Sequence, residues 1–346
     1  MCQSGDDNGA METKQWASSS TGTRADDRTH PARTWQYVAV LLVATFLMAS
    51  SFVAGKILLR SVPPFPLLGA RFLLAAVATL PLAYLASRSR ASGPGSASLP
   101  TSATSLLAVL GIGLLQTAAV LGLTFLALRS ISAGEASILL FTNPIWVAAL
   151  APLVLAERLS MARVAGLFLG IVGVALAMGA PHGLSGIQGD ILVLLASLAW
   201  AVSTIITKRL HVTMNPWWLN FWQMLVGALI LVGIAVLLRQ SWPARLSISD
   251  WAWFVWLAIP GSTLSFGLWF TALRWGGAAT TSSYLFLVPL FSVLLAFVIL
   301  GEHITMVQII GGVLVGAALY LVNNRRGSGN ASIGTDKVTE VAEQAG

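Results

Sequence analysis

Gln116, Thr142, Asn143, Trp200, Ser203, Thr204, Thr281, Ser283 and Tyr284 are polar side chains set inside long apolar runs. Hydroxyls, amides and an indole can read the hydrogen-bonding pattern of a small molecule. At such depth they either line a neutral pocket with an aromatic wall or tie neighbouring helices together. Two prolines stand among them. Pro144 and Pro289 cannot donate to the carbonyls of Leu140 and Leu285, so each leaves a polar backbone group that a membrane tolerates only against protein or water. They are either packing kinks or hinges bordering a cavity.

Ionisable groups inside apolar runs are few, and each one placed at the bilayer centre costs about 2.5 to 3.5 kcal/mol on insertion scales. Lys56, Arg71 and Glu135 are the deepest of them. Lys56 and its later counterpart Lys208 sit near the ends of their runs, where they either snorkel to the interface or act as gates or partners of a substrate carboxylate. Glu135 lies close in sequence to Arg129 and is expected to pair with it across the turn. Glu157 and Glu302 end their runs, positions suited to capping and turn contacts.

These residues need elements that cross a membrane. The chain of 346 residues is 56% hydrophobic and 10% charged, with a mean hydropathy of +0.79, which describes a polytopic membrane protein embedded in the lipid bilayer. Apolar runs of about 20 residues, the length that spans the hydrocarbon core, recur from residue 35 onward. They predict spans at 35–59, 64–87, 104–128, 133–156, 165–179, 190–208, 217–238, 251–275, 278–300 and 306–322. Residues 1–33 are a hydrophilic tail expected to be disordered, and 325–346 form another tail. Residues 180–186, Ala-Pro-His-Gly-Leu-Ser-Gly, read as a linker between halves. A single cysteine, Cys2, excludes a disulfide framework and a thiol metal site. The net charge of +7 belongs to loops and helix ends, so no nucleic-acid partner is expected, nor a metal or other cofactor.

Lysine and arginine set the orientation. With both termini in the cytoplasm, Arg24, Arg28, Arg33, Arg88, Arg90, Arg158, Arg163, Lys208, Arg209, Arg274, Arg325 and Arg326 lie inside. Arg60, Arg129, Arg239 and Arg245 are left outside, a cytoplasmic bias of about three to one. The sequence also repeats. Ala133–Met161 laid on Ala278–Met306 matches Leu140, Phe141, Pro144, Leu155, Glu157 and Met161 with Leu285, Phe286, Pro289, Leu300, Glu302 and Met306. An odd number of spans per half, about five, would place the halves 34–181 and 187–324 upside down relative to each other. Inverted halves offer two equivalent packings around a midplane site, the arrangement that alternating access uses. Gly166-x-x-x-Gly170 and Gly312-x-x-x-Gly316 permit close helix approach, within the chain or in a homodimer. Trp242, Trp251, Trp253 and Trp256 read as an interfacial belt.

Two five-helix units, first helices ending in Lys56 and Lys208, and fourth helices carrying a mid-segment proline and ending in Leu155-Ala-Glu157 and Leu300-Gly-Glu302, resemble the drug/metabolite transporter superfamily, EamA type. The resemblance covers about residues 35 to 323. It implies an all-α membrane fold of ten transmembrane helices in two inverted five-helix repeats, cytoplasmic termini, and efflux of small metabolites such as amino acids across the cell's inner membrane. The tryptophan that the family often carries before the first-helix lysine is Met48 here, whereas Trp200 keeps it in the second half. The reading is a secondary carrier, not an enzyme, coupled to a proton or other ion. An intramembrane enzyme acting on a lipid or small molecule is the alternative. Against it, there is no HExxH, no aspartate pair within the spans, and His30, His182, His211 and His303 fall in tails or loops.

Overall fold

The computed structural model describes residues 31–88, 99–100, 102–143, 145–147, 149–150, 161–177, 183–210, 214–276, 284–303 and 305–323. The chain divides into two units, Met1–Ala39 and Val40–Gly346. The described part of the first unit is the opening of helix α1, Pro31–Leu58. All packing below concerns the second unit.

Helix α2 is Pro64–Arg88 and α3 is Ala103–Ala127, the latter passing through a π-helical segment at Gly113–Ala119. Next come α4 (Ala133–Leu140), α5 (Met161–Ala177), α6 (Gly183–Leu210) and α7 (Pro216–Leu237). Helix α8 starts as Ile248–Ala258, widens into a π-helical turn at Ile259–Leu264 and continues as Ser265–Gly276. Helix α9, Leu287–Leu295, lies between a 3-10 turn, Tyr284–Phe286, and a π-helical turn, Ala296–Leu300. Helix α10 is Met306–Asn323. Among the described residues every regular element is helical. Among the described residues six helices are long and apolar enough to cross a membrane, α1, α2, α3, α6, α7 and α8, and the described parts of α9 and α10 are shorter apolar helices.

Helix starts follow local chemistry. Ser102 and Ser132 accept the backbone N–H of Ser105 and Glu135, filling donors that the first turn leaves open. Asn215 caps α7 ahead of Pro216, whose missing N–H costs nothing at the first helical position. Ser247 and Asp250 form a reciprocal capping box at α8. The expected linker at 180–186 is shorter than its composition suggests, because α6 already begins at Gly183. A Gly-Leu-Ser-Gly stretch next to a long apolar run is pulled into the helix, since each added turn satisfies backbone groups internally.

Side chains facing away from the bundle are apolar and bare, Phe168, Ile171, Val236 and Val298 among them, which suits lipid and would burden a water-soluble surface. Inside, α2 packs on α7, α5 on α10, α3 on both α6 and α7, and α4 on α9. Small residues set these distances. A Cβ added at Gly173 of α5 would stand 2.8 Å from the Val315 backbone nitrogen of α10, and one at Gly227 of α7 would stand 2.4 Å from Thr117 of α3. The close approach of α5 and α10 is thus made within the chain. It uses Gly173, while a Cβ on Gly316 would meet nothing within 4 Å.

Candidate functional site

Helix α4 breaks where its proline predicts. Phe141 and Thr142 form a turn, and the Leu139 carbonyl accepts both the Thr142 N–H at 3.3 Å and the Thr142 hydroxyl at 2.6 Å. Pro144 itself, Thr281 and Ser283 lie outside the described residues, and of Lys208 only the helical backbone is described. Pro289 differs from the mid-helix kink expected of it. It sits in the first turn of α9, just after the 3-10 turn, where no intrahelical donor is missed. Tyr284 opens that 3-10 turn and is half-buried.

The polar stripe of α6 faces this break. Ser197 lies 3.0 Å from the Thr142 hydroxyl, and the Trp200 indole meets the Phe141 ring edge-on with centroids 5.5 Å apart. One turn further, the Ser203 hydroxyl donates to Gln116 Oε1 at 3.5 Å, so α6 is joined to the π-helical segment of α3. Thr204 instead bonds to the Trp200 carbonyl of its own helix at 2.9 Å. Most of these groups therefore have protein partners, each contact adding about 1 kcal/mol or less between helices. Asn143 is different: it is 7% exposed, and its Oδ1 has no hydrogen-bond partner. A buried carbonyl oxygen without a donor costs roughly 1 to 3 kcal/mol, so its natural partner is a ligand or water admitted at the helix break.

The sequence reading missed several members of this region. Ser197 and Phe141 complete the contacts of Thr142 and Trp200, and the polar periodicity of α6 carried the signal for Ser197. Buried Asn220 and Gln223 of α7 bond to one another at 2.8 Å, facing α3, with no spacing signal to announce them. Arg71 is fully enclosed. Its Nε donates to Ser262 at 2.8 Å and Nη2 to the Gly261 carbonyl at 3.4 Å, both in the π-helical turn of α8, while the Phe72 and Phe125 rings flank it. Among the described residues no carboxylate pairs with it.

The expected Glu135–Arg129 pair is not formed. Arg129 lies at the exposed rim of the turn, whereas Glu135 is 3% exposed and its carboxyl turns to Asp190 of α6. Helix geometry explains this, because a side chain in the first turn of α4 points into the bundle once Ser132 caps it. Lys56 is held at the same end. It donates to the Ile131 carbonyl and lies 3.3 Å from Glu302 Oε1, while Glu302 Oε2 accepts the Ala133 N–H at 2.9 Å. Gly301, at φ 65°, turns the chain so that Glu302 comes back onto the bundle, and its left-handed conformation is one that glycine adopts without steric cost. Along α8, a groove of about 530 Å³ is lined by Ile248, Trp251, Ala252, Val255, Trp256 and Pro260. The Trp256 N–H is already engaged by Ser50 at 2.9 Å, so the groove offers little to a polar solute.

Comparison with known proteins gives a consistent picture. The model of the EamA-like transporter family matches residues 35–179 and 187–324. An uncharacterized transporter of Archaeoglobus fulgidus is 31% identical over 292 residues, 83% of this chain and 97% of that protein. A probable amino-acid metabolite efflux pump of Salmonella typhimurium is 28% identical over 298 residues, 82% of this chain and 93% of the pump. A chloroplastic WAT1-related protein of Arabidopsis thaliana is 29% identical over 208 residues, 57% of this chain and half of its own length. One known crystal structure superposes with a TM-score of 0.60 at 18% identity, covering 85% of this chain and 99% of that one, a likeness of fold alone.

Proposed function

The chain belongs to the EamA-like transporter family, and from that premise we propose that it is a secondary carrier exporting a small polar or amphipathic metabolite, an amino acid or similar compound, by alternating access. The observation that carries the site is the buried, partnerless Asn143 Oδ1 at the break in α4. Around it stand Thr142, Gln116, Trp200, Ser203 and Thr204, with Thr281, Ser283 and Tyr284 as the second half's contribution. Pro144 acts as a hinge at the break in α4, Pro289 marks the junction between the 3-10 turn and α9 about which the second half would bend, and Lys56 and Lys208 act as gates. The protein lies in the cell's inner membrane with both termini cytoplasmic, and its halves are the inverted units 34–181 and 187–324.

Packing supports the two-fold relation. The register that lays Ala133 on Ala278 lays Thr117 on Ser262, so the π-helical segments of α3 and α8 correspond. The register that lays Lys56 on Lys208 lays Pro64 on Pro216 and Arg71 on Gln223. Arg71 of α2 meets the π-helical turn of α8, and the backbone at Gln223 of α7 meets the π-helical segment of α3 at Gly113. Exchange of halves therefore maps one contact onto the other, while α2 with α7, α4 with α9 and α5 with α10 are pairs of counterparts.

The test is counterflow in proteoliposomes with radiolabelled amino acids, sugars and cationic drugs. Asn143→Leu is expected to abolish transport while membrane insertion is retained. Unchanged transport would remove Asn143 from the site, and absence of counterflow for every class would remove the metabolite reading.

A further inference from the structure

At the end of the bundle where α1 finishes, four ionisable groups converge from four elements. Lys56 comes from α1, Glu135 from the first turn of α4, Asp190 from α6 and Glu302 from the turn between α9 and α10. Arg129 and His303, in the neighbouring turns, are exposed and do not enter. Lys56 is already committed to Glu302 and to the Ile131 carbonyl. Glu135 and Asp190, 3% and 4% exposed, stand within hydrogen-bonding reach of each other. Two carboxylates have only acceptors to offer, so such a contact forms only when a proton lies between them. Glu135 Oε1 receives no donor from the protein, so the carboxyl has no other neutralising contact on that side.

We propose that Glu135 and Asp190 form a proton-binding site whose occupancy holds this end of the carrier closed. Resting on the carrier reading, this makes the proton a regulator of access at this end. With the proton in place, Glu135 and Asp190 tie α4 to α6 while Lys56 and Glu302 tie α1 to the α9–α10 turn. When the O–H bond breaks and the proton passes to water at the mouth, two negative charges face each other in a poorly solvated site. The Lys56 ammonium nearby is already shared with Glu302. Separation of α4 from α6 then relieves the repulsion and admits water toward Thr142 and Asn143, which lie roughly 11 to 12 Å deeper along the chain. Reprotonation recloses the end.

The experiment uses the full-length chain with Cys2→Ser, reconstituted in liposomes, and two readouts that need no transported substrate. Infrared titration follows the C=O stretch of a protonated carboxyl, and an impermeant thiol reagent reports access to Thr142→Cys from the side of this end. In the parent chain the carboxyl band is expected to disappear as pH rises, with labelling accelerating about tenfold or more over the same range. Glu135→Gln, and separately Asp190→Asn, should abolish the band and flatten the labelling profile. Asp190→Asn keeps the test decisive if the Glu135 variant fails to fold. A band that survives both substitutions, or labelling with an unchanged pH profile, overturns the proton site and leaves the carrier reading standing. Failure of counterflow for every solute would do the reverse.

Discussion

The Lys56–Glu302 pair is the contact whose worth can be reasoned most directly. Its separation is 3.3 Å, and the two side chains are 25% and 14% exposed. At an effective dielectric of about 20, opposite charges at that distance attract by about 5 kcal/mol. Desolvation of two largely buried ions, and the ordering of two long side chains, offset most of that, leaving about 1 to 2 kcal/mol of net coupling. The prediction is therefore a double-mutant cycle with Lys56→Met and Glu302→Gln in which the coupling falls in that range. Each single change should cost more than the coupling, because Lys56→Met also abandons the Ile131 carbonyl and Glu302→Gln weakens the bond from the Ala133 N–H. The assay is unfolding in mild detergent, with thiol access to Thr142→Cys as a second observable. A coupling energy indistinguishable from zero in both would mean that the pair is incidental to closure. Additivity is the refuting result.

Other outcomes follow from single contacts. Gly173→Val should destabilise the α5–α10 pair by about 1 to 3 kcal/mol, read as a lower melting temperature in detergent, since its Cβ would meet the Val315 backbone rather than a movable side chain. Ser132→Ala should cost about 1 kcal/mol by removing the cap of α4, visible as faster amide exchange at Glu135. Ser197→Ala should reduce the affinity of the transported solute less than Asn143→Leu reduces transport, because the Thr142 hydroxyl keeps its bond to the Leu139 carbonyl. Lys208→Met and Lys56→Met are expected to raise thiol access from opposite faces of the membrane; access raised from one face by both would contradict the inverted arrangement.

Much of the scaffold was legible because membrane helices obey few rules. Apolar length located the long helices, while the caps Ser102, Ser132, Asn215 and Ser247 set their starts, as at Ile248, three residues before the apolar run predicts. The break before Pro144 was legible for the same reason, since a missing donor has a fixed address in the chain. The π-helical segments were not. Gly113–Ala119 lies where α7 packs against α3 and has no proline to announce it, whereas Ile259–Leu264, packed against α2, contains Pro260, whose missing N–H fixes a break but not its π-helical form. Glu135 illustrates the other limit. Proximity in sequence favoured Arg129, but the cap at Ser132 directs the side chain inward to a helix more than fifty residues later. Arg71 was recognisable as costly, yet its answer, a serine and a carbonyl in a widened turn, depends on tertiary packing alone.

Symmetry and its breaking divide the labour in the proposed cycle. The gating groups come in counterparts, Lys56 with Lys208 and Glu302 with Glu157, so either end could be latched by the same chemistry. The acid pair has no such counterpart. In the registers that align the halves, Glu135 falls on Thr280 and Asp190 falls on Val38, neither able to bind or release a proton at physiological pH. Only one of the two conformations would then be linked to protonation, and a ligand shifts an equilibrium only by its unequal affinity for the two states. A pH equal on both faces, acting on a perfectly symmetric carrier, would favour both openings alike. Acting on this one, acidity closes a single end, so it biases which packing is populated while the gradient of the transported solute sets the direction of movement.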